Sequence, residues 1–181
     1  MKNYSLPKIY YILVFVGCCF SCSSDLDFNQ ANDLKLEPVV VGNLSNFNVP
    51  AAAFVGANNL LMNAQDFDVF RDKHLNSYLQ RADLYFEINN TIARSYALDI
   101  DFTDANDQIL TTIHFDIPAY NGSENKIIHT EYFQDVKLVA FKNAKKMKFR
   151  ILMNSGIPTL NQNSSGSLQL RSSATLYLEI E

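Results

Sequence analysis

Four aspartates lie within nine residues in the middle of the chain, at Asp99, Asp101, Asp104 and Asp107. Carboxylate oxygens at this density are the ligands that a hard cation such as calcium prefers. The segment DIDFTDANDQIL, however, lacks the glycine at its sixth position and the glutamate at its twelfth that a helix-loop-helix calcium loop requires. We therefore interpret Asp99 and Asp101 as the solvent side of a strand. Asp104 and Asp107 suit a turn, so we expect no metal site here.

Positive charge is concentrated in one short run, which comprises Lys142, Lys145, Lys146, Lys148 and Arg150. Such a run could engage polyanions or the headgroups of an anionic membrane. Its second half alternates with apolar residues at positions 147, 149 and 151, a pattern that is typical of a strand with one apolar and one wet side. We favour this second interpretation, in which the basic side chains form a solvated face.

The remaining reactive groups form no catalytic or ligand-binding pattern. His74, His114 and His129 lack the spacing of metal ligands. No serine lies in a nucleophile elbow, and no glycine-rich loop offers a phosphate cradle. We therefore expect no catalytic residue, no cofactor and no metal, and we predict that the protein is not an enzyme.

The cysteines indicate a different chemistry, which is covalent lipid attachment. All three, Cys18, Cys19 and Cys22, lie within the first 22 residues. Two lysines precede an apolar stretch at residues 9–17, and the polar run SSDLD follows Cys22. This arrangement resembles a bacterial lipoprotein signal peptide. The resemblance implies that Cys22 is acylated, with palmitate-type chains, and becomes the mature N-terminus.

Two alternatives to acylation at Cys22 remain open. Cys18, preceded by Phe-Val-Gly, is a competing acceptor, because the segment before Cys22 fits the lipoprotein pattern only at Ser21. The other alternative is an ordinary secreted protein with incidental leader cysteines. We favour Cys22 because the sequence after it is polar, whereas Phe20 would be unusual in an exposed tether. Three acyl chains exceed the two lipid signals that stable anchoring requires, so we expect an outer-membrane protein facing the periplasm or the cell surface.

The sequence divides into a signal peptide at residues 1–21, an acylated cysteine and polar tether at residues 22–35, and one domain at residues 36–181. After Cys22 the chain carries 19 acidic and 13 basic residues, a formal charge of −6. A mildly acidic domain is a poor candidate for nucleic-acid binding, and we expect no nucleic-acid partner. Since no cysteine follows Cys22, the domain must be stabilised by its core alone.

The hydrophobic pattern of the domain is that of short strands. Apolar residues alternate with polar ones from Ala82 onward, and the runs at 96–102 and 109–117 flank a polar turn at 104–107, which predicts a hairpin. An edge strand is expected at 36–49 with a break near Gly42, and a final strand at 167–180 with a bulge near Thr175. Residues 66–79 predict an amphipathic helix with Asp66 as its N-cap, and 133–140 a short helix or turn.

These elements predict a mainly β protein, an antiparallel immunoglobulin-like β-sandwich of about seven strands with one or two short helices. Long loops are expected at 154–166 and 118–124. The runs CSSDLDFNQANDLKLEPV, DFTDANDQIL and SSATLYLEIE resemble a family of small flavobacterial lipoproteins. The resemblance implies lipid attachment at Cys22 and the immunoglobulin-like fold, but no activity.

We therefore expect a membrane-anchored module that binds or scaffolds an envelope component, a protein or a glycan, through its two long loops or an edge strand. A surface glycan-binding module is the alternative. Because the chain has no Trp, Tyr85, Tyr120 or Tyr132 would then have to supply the sugar platform.

Overall fold

Strands dominate the computed structural model, which describes residues 35–57, 59–66 and 73–180. The eight strands in this part of the chain are β1 (Val39–Pro50), β2 (Asn59–Asp66), β3 (Leu79–Asn90), β4 (Tyr96–Thr103), β5 (Ile109–Ile117), β6 (Lys126–Phe133), β7 (Lys146–Met153) and β8 (Ser167–Leu178). A 3₁₀ helix at Ala51–Phe54 and two α-helices, α1 (Lys73–Tyr78) and α2 (Asp135–Asn143), connect them. The predictions for the signal peptide, Cys22 and most of the tether lie outside the described residues.

The strands form two antiparallel four-stranded sheets, ordered β1-β8-β3-β6 and β2-β7-β4-β5. Only the β4–β5 connection stays within one sheet, and every other connection between the described strands crosses to the opposite sheet. This connectivity is that of a jelly roll. The predicted mainly β, antiparallel sandwich with short helices is confirmed. The strand order differs from the immunoglobulin-like one, in which several consecutive strands are neighbours, because alternation fixes which face a residue occupies and not which strand lies beside it.

The core lies between the two sheets and is built by strict alternation. Inward residues of β3, β4, β7 and β8 are almost entirely buried, including Leu84, Phe86, Leu98, Phe149 and Leu170. Helix α2 closes one end of this core, because Phe141 stacks on Phe133 with ring centroids 4.6 Å apart and meets Phe102 edge-on at 5.7 Å. The short helix predicted near residues 133–140 is therefore present.

The β4–β5 hairpin and the edge position of β1 agree with the sequence predictions. The irregularity expected near Gly42 is a register shift between Asn43 and Ser45 against β8. Ser172 stabilises this bulge, since its hydroxyl accepts a hydrogen bond from the Ser45 amide at 3.0 Å and donates one to the Ser45 carbonyl at 2.8 Å.

The local predictions fail or remain open at three places. Asp66 ends strand β2, and the helix predicted at residues 66–79 is described only at Lys73–Tyr78. The prediction that Asp66 caps this helix depends on residues 67–72, which lie outside the described residues. Strand β2 itself was missed, since Leu60, Leu61 and Met62 are consecutive apolar residues without alternation. The bulge expected near Thr175 is absent, because the residues of β8 at even positions from 168 to 178 all point inward.

The connections gather at two opposite ends of the sandwich. Backbone hydrogen bonds join the described connections 51–57, 91–95, 118–125 and 154–166 at one end, for example from the Tyr120 amide to the Ile92 carbonyl at 2.9 Å and from Asn154 to Ser95 at 3.0 Å. We call this the loop end. The domain begins at the other end, where Leu36 bridges Ile180. The two loops selected from the sequence, 118–124 and 154–166, are thus brought together.

Candidate functional site

A groove of about 420 Å³ opens on the outer face of the second sheet. We call it the outer-face groove, and it is lined by Leu61, Met62, Asp101, Thr103, Asp107, Ile109, Lys148 and Arg150. Its volume falls within the range of small-ligand sites. It combines apolar side chains from the edge strands β2 and β5 with charged side chains from the central strands β4 and β7 and from the β4–β5 turn.

The alternation of β4 and β7 places these charges opposite one another. Met147, Phe149 and Ile151 point into the core, so the residues between them point outward. The antiparallel register then pairs Asp99 with Arg150 and Asp101 with Lys148. Opposite charges on directly facing positions stabilise a strand pair. The outer face is therefore a ladder of ion pairs and not a simple solvated surface.

Asp101 is the best-fixed group of this ladder. Its side chain accepts hydrogen bonds from Arg150 Nε at 2.7 Å, from Arg150 Nη2 at 3.3 Å and from Thr112 Oγ1 at 2.7 Å. Burial alone would raise the pKa of the Asp101 carboxyl, but these hydrogen bonds outweigh burial and lower the pKa below its usual value. The prediction of a solvent-side aspartate was wrong for Asp101, which is only 2% exposed, because Arg150 and Thr112 cover it.

Asp99 lies further out and joins two cations. Its Oδ2 is 3.1 Å from Arg150 Nη2, and its Oδ1 is 2.5 Å from His114 Nδ1. The hydrogen bond with Asp99, followed by a weaker contact with Asp116, raises the pKa of the His114 imidazole. His114 and Asp99 thus interact directly, although this histidine shows neither metal-ligand nor catalytic spacing in the sequence.

The two turn aspartates have separate roles. Asp104 Oδ1 accepts hydrogen bonds from the amides of Asn106 and Gln108, at 2.8 and 2.9 Å, and so closes the β4–β5 turn as predicted. Asp107 instead faces β7, where Lys146 and Lys148 lie 2.8 and 2.9 Å from its Oδ1. These two lysines lower the pKa of the Asp107 carboxyl.

The basic run identified in the sequence does not form one patch. Lys146, Lys148 and Arg150 are paired with aspartates on the outer face. Lys142 lies in the last turn of α2, where burial lowers the pKa of its ammonium group. The histidines are likewise separate: His129 contacts Glu131 at 3.0 Å on β6, and nothing is described of the His74 side chain. Among residues whose side chains are described, no group of three or more His, Cys, Asp or Glu forms a metal-ligand cluster.

The groove also contains a polar atom without a described hydrogen-bond partner and two exposed apolar side chains. The Thr103 hydroxyl is buried and makes no hydrogen bond with any described residue. Leu61 and Ile109 are 74% and 53% exposed at the groove edge. A buried polar atom without a partner is unusual in native structures. The two apolar side chains offer contacts to a ligand at the surface, and a ligand that reaches the buried Thr103 hydroxyl would gain a hydrogen bond.

Two of the tyrosines named from the sequence share another surface, the outer face of the first sheet. Tyr85 and Tyr132 lie on adjacent strands, paired with Thr130 and Asp83 respectively. Arg81 stacks on the Tyr132 and Tyr177 rings, with its Cζ atom 5.2 and 5.0 Å from their centroids. Tyr120 lies elsewhere, at the loop end.

The loop end contains a charged residue that the sequence analysis missed. Arg94 is 7% exposed, and its Nε and Nη1 atoms make no hydrogen bond with a described residue. A single arginine between two strands carries no sequence signal, because its burial depends on loops far along the chain.

None of the helices in the described ranges has the length and hydropathy needed to cross a bilayer.

No family model matches the chain, and no curated protein matches it. Similar solved structures include the infectious bursal disease virus VP2 subviral particle, with a TM-score of 0.46, 8% identity, and coverage of 78% of this chain and 32% of that chain. A protein from Parabacteroides distasonis ATCC 8503 gives a TM-score of 0.43 and 11% identity, covering 77% of this chain and 38% of its own. This chain thus spans about a third of the length of both, and similarity at this level says nothing about function.

Proposed function

We propose that the protein is a lipid-anchored bacterial envelope protein whose jelly roll is a non-catalytic binding or scaffolding module. The observation that carries the binding role is the outer-face groove, whose lining includes the unpaired Thr103 hydroxyl and the exposed Leu61 and Ile109 side chains. A concave surface with apolar walls and a few fixed polar groups is the usual form of a ligand site. Its occupant would be an envelope protein or glycan.

The electrostatics of the groove favour binding over catalysis. A general acid at neutral pH needs a carboxyl whose pKa is raised. The pKa values of Asp101 and Asp107 are instead lowered by their cationic partners, so both carboxylates stay ionised and paired. Groups of this kind hold the groove in shape and orient a polar ligand.

The order of the predicted acylation site and the domain along the sequence suits a membrane-attached arrangement. The predicted acylation site, Cys22, precedes the domain, whose first described pairing, Leu36 with Ile180, lies at the end opposite the loop end. This arrangement suits a module that contacts other envelope components.

Site-specific photo-crosslinking in cells tests the binding role. A benzophenone amino acid replaces Leu61 at the groove, or Ile128 on β6 as the matched exposed control on the other sheet. We expect a discrete adduct from position 61 and none from position 128. Adding Thr103→Val should reduce the adduct several-fold, because the unpaired hydroxyl is lost. Equal yields from both positions, or no effect of Thr103→Val, would contradict the proposal.

A glycan-binding function is the second candidate, and one observation favours it. Tyr85, Tyr132 and Tyr177 lie on the same outer face of the first sheet, where the Arg81 guanidinium holds two of the rings in place. Flat surfaces of fixed aromatic rings can stack on sugar rings. A glycan array probed with the wild type and Tyr132→Ala is the test, and an array without binding by the wild type excludes this function.

A further inference from the structure

Arg94 is a buried cation in which two of the three guanidinium nitrogens have no hydrogen-bond partner among the described residues. It lies in the 91–95 connection between β3 and β4 and is 7% exposed. Its Nε and Nη1 atoms are buried and bond to no described residue, and it forms no ion pair with a described carboxylate. A guanidinium stays ionised at every physiological pH. Removing such a group from water is costly unless an anion or an acceptor meets it.

The surrounding backbone holds Arg94 in this position. The fully buried Asn90 side chain donates hydrogen bonds to the carbonyls of Arg94 and Pro118, at 2.8 and 2.7 Å, and accepts one from the Ile92 amide at 3.0 Å. The Arg94 amide in turn donates to the Ile92 carbonyl at 2.7 Å. This network fixes the backbone of the connection and therefore the position from which the Arg94 side chain extends.

The 154–166 loop covers the guanidinium and leaves room for it. Asn154 is joined to Ser95 by a backbone hydrogen bond of 3.0 Å and a side-chain hydrogen bond of 3.2 Å. Two residues further, a Cβ atom at Gly156 would lie 2.8 Å from Arg94 Nη1. Only glycine therefore lets the guanidinium keep its place beneath this loop.

A second unused donor lies nearby. The Tyr96 side chain is fully buried against Phe54, and its hydroxyl has no hydrogen-bond partner among the described residues. Burial raises the pKa of Tyr96 to about 12, while the charge of Arg94 acts in the opposite direction. The phenol thus stays protonated and can donate. A permanent cation and a neutral hydroxyl donor at one end of the sandwich match the needs of an oxyanion.

We propose that the loop end contains an oxyanion-binding site in which Arg94 is the primary ligand contact and Tyr96 a second donor. Its ligand carries a carboxylate or a phosphate group, because arginine recognises both through paired N–H donors. The site is separate from the outer-face groove, and it does not depend on the proposed function.

Thermal unfolding of the full chain in detergent, with inorganic phosphate or acetate at constant ionic strength, tests this site. Because an anion that binds only the folded state stabilises it, we expect the wild-type Tm to rise by about 2–4 °C for each fivefold increase of anion above its dissociation constant. Arg94→Met should abolish this rise while leaving Tm in anion-free buffer equal or higher, because it removes an unpaired buried charge. Arg171→Met, at an exposed arginine of β8, should keep the anion response.

Each outcome decides the proposal. A response to phosphate alone assigns a phosphoryl ligand, and a response to acetate alone assigns a carboxylate. No response in the wild type, or a response that survives in Arg94→Met, overturns the site. Gly156→Ala is the second variant if Arg94→Met does not fold, because its Cβ displaces the guanidinium without changing charge. It should weaken the anion response at least fivefold, and an unchanged response would again count against the site.

Discussion

At the scale of single residues, the role of each aspartate on the outer face of the second sheet depends on whether other side chains cover it. Asp101 and Asp99 are two positions apart on β4 and have similar sequence surroundings, yet only Asp101 is buried. Arg150 reaches both, and Thr112 adds a hydrogen bond to Asp101 alone. Side-chain partners from other strands therefore decide the role of each acid.

Replacing Asp101 with alanine should destabilise the fold. The change leaves Arg150 and Thr112 without their shared acceptor, and hydrogen bonds to a charged group contribute about 1.5–3 kcal/mol each. Because Arg150 is half exposed and can regain water, we expect a loss of about 1–3 kcal/mol in the free energy of unfolding, measured with urea. Asp116→Ala, at a 90% exposed side chain, is the control, and we expect it to change stability by less than about 0.5 kcal/mol. Equal effects of the two substitutions would contradict this account.

The pH dependence of His114 provides a second residue-scale prediction. Its pKa is raised chiefly by Asp99, so protonated His114 stabilises the fold fully below its unfolded-state pKa of about 6.5. This contribution is lost as the pH rises through the raised folded-state pKa. An NMR titration of the His114 ring should give a midpoint above 6.5. Asp99→Asn should lower that midpoint more than Asp116→Asn does, and the reverse order would refute the assignment.

At the scale of elements, the jelly roll depends on close approach between connections at the loop end. Gly166, which precedes β8, has a φ of +98°, and a Cβ atom there would lie 2.3 Å from the Thr91 carbonyl oxygen. Thr91 and Ser167 are joined by backbone and side-chain hydrogen bonds. Glycine at 166 is thus required by both conformation and space.

Gly122 offers a matched comparison for this requirement. It has the same φ of +98°, but a Cβ atom would meet nothing within 4 Å. We expect Gly122→Ala to cost roughly 1–2 kcal/mol from left-handed backbone strain. Gly166→Ala should cost about 1–3 kcal/mol more, because the Thr91 backbone must also shift. Urea unfolding of both variants measures the difference, and equal losses would show that space at Gly166 is not limiting.

At the scale of the whole molecule, the predicted acylation site precedes the folded domain in the sequence. The domain is built without cysteine, since all three cysteines precede residue 23. Its stability therefore rests on the core between the two sheets. Attachment and folding are consequently separable, so a variant that loses the lipid should still fold.

Metabolic labelling with an alkyne analogue of palmitate tests the anchor. We expect label on the wild type and on Cys18→Ala, and none on Cys22→Ala, because Cys22 is the predicted acylation site. The Cys22→Ala protein should also leave the membrane fraction. Loss of label in Cys18→Ala alone would instead identify the competing acceptor.

The sequence by itself determined the residues that face the core, since a period of two places alternate side chains on opposite sides of any strand. It predicted the β4–β5 hairpin and the class of fold for this reason, and the long loops from their proline, glycine, asparagine and serine residues. It could not predict β2, whose consecutive apolar residues at 60–62 have no alternation, or the jelly-roll order, because strand partners are chosen by contacts between distant segments.

The tertiary structure alone decided the sites. It buried Asp101 beneath Arg150, brought Leu61 and Thr103 into one groove, and placed Arg94 under a loop more than sixty residues further along the chain. Local sequence fixes the side of a strand on which a charge lies, whereas its pairing and its exposure to water depend on which strands and loops the fold sets against it. The pairing and the burial of Asp101 and Arg94 therefore depend on residues that are far from them in the sequence but close to them in the fold.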